Sequence, residues 1–130
     1  MAKRRSIYVD GQSHGSNPIP AASLKNNILA SGAVYGLAGG AQEPTDLDSQ
    51  CAAMFANIDG ILAAAGGSFE DVIHVSVKLA DPSDRDALNR HWEQAFPDPE
   101  SRPARHVDGS PLKMGGRLIA AEFLAVVDDG

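Results

Sequence analysis

The chain has one cysteine among 130 residues, so it cannot close an internal disulfide. That suits a reducing compartment, and a cytoplasmic location is the expectation. Aromatic residues make up only 5%. So few rings offer no stacking platform for single-stranded nucleic acid. Positive charge is also short: 11 Lys and Arg stand against 17 Asp and Glu, a net charge of -6. Phosphate binding needs a basic face, so nucleic acid is not an expected partner. The one basic cluster, Lys3-Arg4-Arg5, reads as a solvated end. No apolar run of signal-peptide type follows it, and no segment reaches the length of a membrane span. No membrane partner is expected.

Signatures of metal and nucleotide chemistry are missing too. The four histidines (His14, His74, His91, His106) show no CxxC or HExxH spacing, so no metal site is expected. Gly39-Gly40 reads as a turn without the surroundings of a phosphate loop, and no GxSxG elbow occurs. No cofactor is expected. Cys51 falls on an apolar helical stripe and reads as core, not nucleophile.

What is present is a chain with 43% hydrophobic residues, enough for one core and one domain over 1–130. Ser6-Ile7-Tyr8-Val9 reads as a short strand, and 10–20, rich in Gly, Ser, Asn and Pro, as a loop. Residues 27–31 and 33–35 suggest a strand or hairpin interrupted at Gly32. Thr45-Asp46-Leu47-Asp48 resembles a capping box opening the first helix. Leu47, Cys51, Met54, Phe55, Ile58, Ile61, Leu62 and Ala65 form its apolar stripe, and Gly66-Gly67 ends it. Then 71–79 alternates, with Ile73, Val75, Val77 and Leu79 on one face and His74, Ser76 and Lys78 on the other. Asp81-Pro82 reads as the N-cap and first position of a second helix. Leu88, Trp92, Ala95 and Phe96 form that helix's apolar side. Strands are expected over about 104–110 and 117–127. This pattern predicts an α+β fold: a mixed sheet with two helices on one face. The uncovered face, carrying an apolar final strand, should meet another subunit.

Two charges stand out. Glu122 lies in Leu118-Ile119-Ala120-Ala121-Glu122-Phe123-Leu124-Ala125-Val126-Val127, which reads as a strand buried on both faces. A lone carboxylate there needs a partner or keeps its proton. Arg102-Pro103-Ala104-Arg105 puts a guanidinium on a second extended segment. Such a pair suggests a site. A structural ion pair at a subunit interface is the plainer reading of each.

Several short motifs occur in a definite order. They are Ser31-Gly32, Ala63-Ala64-Ala65-Gly66, Asp71-Val72-Ile73, Asp81, Leu88-Asn89, Arg102-Pro103-Ala104-Arg105 and Ala121-Glu122. Together the chain resembles the RidA (YjgF/YER057c) family over most of its length. The resemblance implies a chorismate-mutase-like fold and a homotrimer whose sheets form a central barrel, with active sites in clefts between subunits. It implies hydrolysis of reactive enamines and imines, such as 2-aminoacrylate, to 2-oxo acids and ammonia. By the same resemblance, Arg105 holds the substrate carboxylate and Glu122 activates water and relays a proton. Ser31 and Gly32 line the pocket by their backbone, and Asn89 sits at its edge.

The chain departs from that family where a tyrosine often follows a Gly-Pro; here Pro20 is followed by Ala21-Ala22. Val107 replaces a common cysteine two residues after the arginine. On a strand Val107 shares a face with Arg105 and so should line the pocket. The loop carrying His14 would then supply the replacement wall. These changes suggest a divergent member preferring a bulkier or more polar imine. Competing readings are a pathway-specific deaminase of an aminomuconate-like intermediate and a non-catalytic binder of small carboxylates. Ribonuclease activity ranks last on charge and aromatic content.

Overall fold

A computed structural model describes residues 3–10, 17–37, 42–109 and 116–128. Its strands are β1 (Arg5–Ile7), β2 (Ala22–Lys25), β3 (Ile28–Ser31), β4 (Val34–Tyr35), β5 (Val72–Leu79), β6 (Ala104–Gly109) and β7 (Ile119–Val126). The helices are α1 (Leu47–Ala64) and α2 (Asp86–Ala95). The seven strands form one sheet in the order β1-β2-β3-β7-β5-β6, with β4 also pairing β7. Only β5 and β6 run parallel; the other pairs are antiparallel. The expected α+β layout, with its helices on one face of a mixed sheet, is present.

The long elements form for the expected reasons. On α1, Cys51, Met54, Phe55, Ile58, Ile61 and Leu62 are all buried. They pack on Val75, Val77 and Leu79 of β5 and Ile119, Ala121, Phe123 and Ala125 of β7. α1 ends where Gly66 takes φ +84, a left-handed conformation that glycine adopts without penalty. Asp48 ties α1 to α2 through Arg90 Nη2 at 2.8 Å and His91 Nε2 at 3.0 Å.

Local chemistry overrides several expectations. The α1 N-cap is Asp46, whose carboxylate accepts from Ser49 N at 2.9 Å, so Thr45 does not open the helix. α2 begins at Asp86, not at Asp81-Pro82. The Asp81 carboxylate instead accepts from the N–H and hydroxyl of Ser83 and closes a local turn. The hairpin turn is Asn26-Asn27, both at positive φ, which joins β3 to the unexpected strand β2. Ile73 does not join the buried face of β5. A bulge between Val72 and His74 leaves Ile73 50% exposed and buries Val72 instead.

β7 is not buried on both faces. Its inward residues Ile119, Ala121, Phe123 and Ala125 are covered by the helices, while Glu122 and Val126 are exposed within the single chain. The desolvation argument for Glu122 therefore fails for one subunit. The run reads as doubly apolar because Ala120, itself buried, and the more open Leu124 and Val126 alternate with that inward set. Ile28, paired with Val126, extends the outer face and is 51% exposed.

Candidate active site

Arg105 lies on edge strand β6, in register with Val75 of β5. Val75 in turn faces Phe123 of β7. Residues in register across a sheet share a face, so Arg105 points to the helix side. There its Nη2 donates to Asn89 Oδ1 of α2 at 2.9 Å. The guanidinium carbon lies 4.9 Å from the Trp92 ring centroid, a cation–π contact. The other terminal nitrogen, Nη1, is buried and makes no hydrogen bond. Burial first, and then the charge of Arg85, lower the pKa of Arg105. A fixed, half-buried guanidinium with one donor unspent is suited to an anion. Val107 follows on the same face and packs at the core margin.

Glu122 belongs to the next register row, with Ser76 of β5 and His106 of β6. That row is on the open face. Glu122, Ala33, Ser76, Lys78 and Ala120 line a shallow depression there. His106, next to Arg105 on the strand, turns to the same face as Glu122 and lies 3.0 Å from Asp108 Oδ1. Within one chain, Arg105 and Glu122 are thus separated by β5 and by the thickness of the sheet.

Ser31 and Gly32 group with Glu122, not with Arg105. The Ser31 hydroxyl accepts from Phe123 N at 2.8 Å, the residue after Glu122, and donates to Gly32 O at 2.9 Å. This side chain bridges the break where the chain leaves β3 and re-pairs with β7 as β4. Gly32 N donates to Ala21 O at 2.9 Å, and a methyl group on Gly32 would have room. The proposed pocket residues therefore form two half-sites: Arg105, Asn89 and Val107 at one sheet edge, and Ser31, Gly32 and Glu122 around β7. His14 lies outside the described residues.

Sequence reasoning missed Trp92 as a platform, reading it only as core. The signal was its spacing: Asn89 and Trp92 lie three apart on one helix face. It also missed two polar clamps, one buried and one half-buried. Gln50, 1% exposed, bonds Pro44 O, Gly116 O and Leu118 N. Asn57 donates to Tyr35 O and Leu37 O. Cys51 is fully buried, and burial pushes its thiol up to about 11, which makes it inert as a nucleophile. Among the described residues, no group of three or more His, Cys, Asp or Glu could hold a metal, and no helix is long and apolar enough to cross a membrane.

The sequence profile of the family described as Endoribonuclease L-PSP matches residues 17–115. The mitochondrial protein Mmf1 of Schizosaccharomyces pombe is 30% identical over 94% of this chain. That match covers 66% of Mmf1, so the chain spans just under two thirds of that relative's length. Among solved structures, RidA from an Antarctic Psychrobacter superposes with a TM-score of 0.84 at 24% identity, covering 95% of this chain and 99% of RidA. A Rid-family protein of unknown function, YyfA from Yersinia pestis, gives 0.86 at 20% identity, over 96% of this chain and all of its own. The Escherichia coli YjgF product gives 0.83 at 20% identity, over 94% and 98% of the two chains. At these identities the superpositions establish the fold.

Proposed function

The chain belongs to the Endoribonuclease L-PSP family, whose solved relatives include the YjgF and Rid proteins, and from that premise we propose that it hydrolyses small enamine or imine acids to 2-oxo acids and ammonia. The observation that carries the proposal is Arg105. It is held by Asn89 and Trp92, with one buried Nη1 donor lacking a partner. A 2-imino acid brings a carboxylate that satisfies that donor and neutralises that charge.

The chemistry then needs water and a proton shuttle. Water adds to the imine carbon, giving a carbinolamine. The C–N bond breaks as nitrogen takes a proton, and ammonia leaves behind a 2-oxo acid. Glu122 is the proposed group that takes the water's proton and returns one to nitrogen. In one chain it is on the wrong face for Arg105. The reading therefore requires a second copy, with Glu122, Ser31 and Gly32 of one subunit facing Arg105, Asn89 and Val107 of another. The open apolar face, with Ile28, Leu124 and Val126, supports assembly as a homotrimer. A reducing, cytoplasm-like compartment is part of the proposal and rests on the single cysteine.

The separation of Arg105 from Glu122 also favours a second reading, a non-catalytic binder of small carboxylates that uses the Arg105 half-site alone. An amino-acid oxidase supplying 2-aminoacrylate or 2-iminobutyrate separates the two. Catalysis speeds 2-oxo acid release over the spontaneous rate; a binder leaves that rate unchanged or slows it. RNA cleavage is disfavoured by the net charge of -6.

A further inference from the structure

A second guanidinium lies beside the Arg105 half-site. Arg85 is the N-cap of α2, and Asn89 N donates to Arg85 O at 2.9 Å. The two residues are one helical turn apart and lie on one face of α2. Asn89 is the residue that grips Arg105. The turn leading into Arg85 is pressed onto the end of β6: a methyl group on Gly109 would lie 2.6 Å from Pro82 Cγ. Arg85 Nε donates to Pro82 O at 2.9 Å, which holds the guanidinium at that end of the strand. Arg105, Val107 and Gly109 alternate along the strand that this turn covers. The charge of Arg85 reaches Arg105 and lowers its pKa.

Within a single chain neither cation has a carboxylate partner among the described residues: none lies within ion-pair distance of Arg85 or Arg105. Asp84 and Asp86 flank Arg85 in sequence but do not pair with it, and Asp81 is committed to Ser83. Arg85 is exposed, so water screens much of the repulsion between the two cations, and an anion reaching both would remove the rest.

We infer that Arg85 is a specificity-determining residue that receives a second anionic group, so the preferred substrate is a small imine carrying two carboxylates. Arg105 takes the carboxylate next to the imine carbon, and Arg85 takes the distal one across Val107. This assignment rests on the deaminase reading for its chemistry. It agrees with the more polar imine expected from the loss of the tyrosine near Ala21.

Calorimetric titration of the intact protein with 2-oxobutyrate and 2-oxoglutarate tests it, because these unreactive product analogues differ by the distal carboxylate. Wild type should bind the dianion about five- to tenfold more tightly, the range for one added charge-assisted contact at a partly exposed site. Arg85→Gln should erase that preference, weakening 2-oxoglutarate binding far more than 2-oxobutyrate binding. Arg85→Lys, which keeps the charge and loses the planar fork, should retain part of it. Equal binding of the two acids by wild type, both weakened by Arg105→Lys, would overturn the role of Arg85 and leave the deaminase reading standing. A dianion preference that survives Arg85→Gln would overturn it equally. Failure of both acids to bind would overturn the carboxylate site itself, and this inference with it.

Discussion

Arg105 and Glu122 occupy adjacent register rows of one sheet and point to opposite faces of it. Arg105 lines up with Val75 and Phe123 beneath the helices; Glu122 lines up with Ser76 and His106 on the open side. If both act on one substrate, they come from different copies of the chain. Assembly is then a condition of catalysis.

The first prediction concerns that assembly. Sedimentation in dilute solution should give three times 13.6 kDa. Leu124→Arg places a charge on the open face of β7 and should yield folded monomers without activity. A wild-type protein that sediments as a monomer would remove the inter-subunit cleft.

The second concerns the grip on Arg105. Asn89→Ala leaves Nη2 without its acceptor and frees the guanidinium to turn. Affinity for 2-oxobutyrate should fall about tenfold, in line with a lost hydrogen bond to a charged group. Circular dichroism should show an unchanged fold, since Asn89 is only half-buried. Unchanged affinity would mean that Asn89 does not orient Arg105.

A third prediction addresses stability. Gln50 joins α1 to the segment entering β7 through two hydrogen bonds, with Gly116 O and Leu118 N, and makes a third with Pro44 O ahead of the helix. Gln50→Ala should cost about 2–4 kcal/mol in denaturant unfolding, because it strands buried backbone groups. Gly36→Ala acts on the same seam. Its new methyl group would clash with Gln50 O, a backbone atom that cannot retreat cheaply. A loss under about 1 kcal/mol for either variant would show that the seam relaxes.

The pH dependence has a definite sign. Hydrogen bonds from Arg90 and then His91 hold the Asp48 carboxyl below its ordinary value of 3.8. The folded pKa is the lower one, so the contribution is fully present above the unfolded value and is lost as pH falls through the folded one. Asp48→Asn should therefore unfold at a lower temperature than wild type at neutral pH, with the two curves converging well below 3.8. Since Asp48 is exposed, the gap should be small and should shrink in high salt. A gap that persists at the acid end would assign the effect to something other than this carboxylate.

Much of the architecture was legible because it depends on periodicity. The α1 stripe and the Val75-Val77-Leu79 face follow from burial alone. The misread segments are those set by local backbone geometry: a side-chain-closed turn, a positive-φ hairpin and a bulge. Asp81 holds Ser83 and delays α2 by a turn. The Asn26-Asn27 pair makes a hairpin that the weak strand-forming sequence of β2 does not announce. Ile73 alternates correctly in sequence but falls on a bulge. The family resemblance put Arg105 and Asn89 in one pocket, and the structure joins them by a hydrogen bond. The face on which Glu122 lies could not be read, since β7 is apolar on both sides and alternation loses its contrast there.

Subunit mixing tests the central claim most directly. Arg105→Lys and Glu122→Gln proteins should each be slow, the latter by about 10²–10⁴-fold, the usual weight of a general acid/base. Unfolding and refolding them together in equal amounts produces mixed trimers. If each site takes Arg105 from one chain and Glu122 from the next, every mixed trimer regains one intact site, and the mixture should recover about a quarter of wild-type imine hydrolysis. Activity no higher than the average of the two parents, with mixed trimers confirmed by mass, would contradict the shared site.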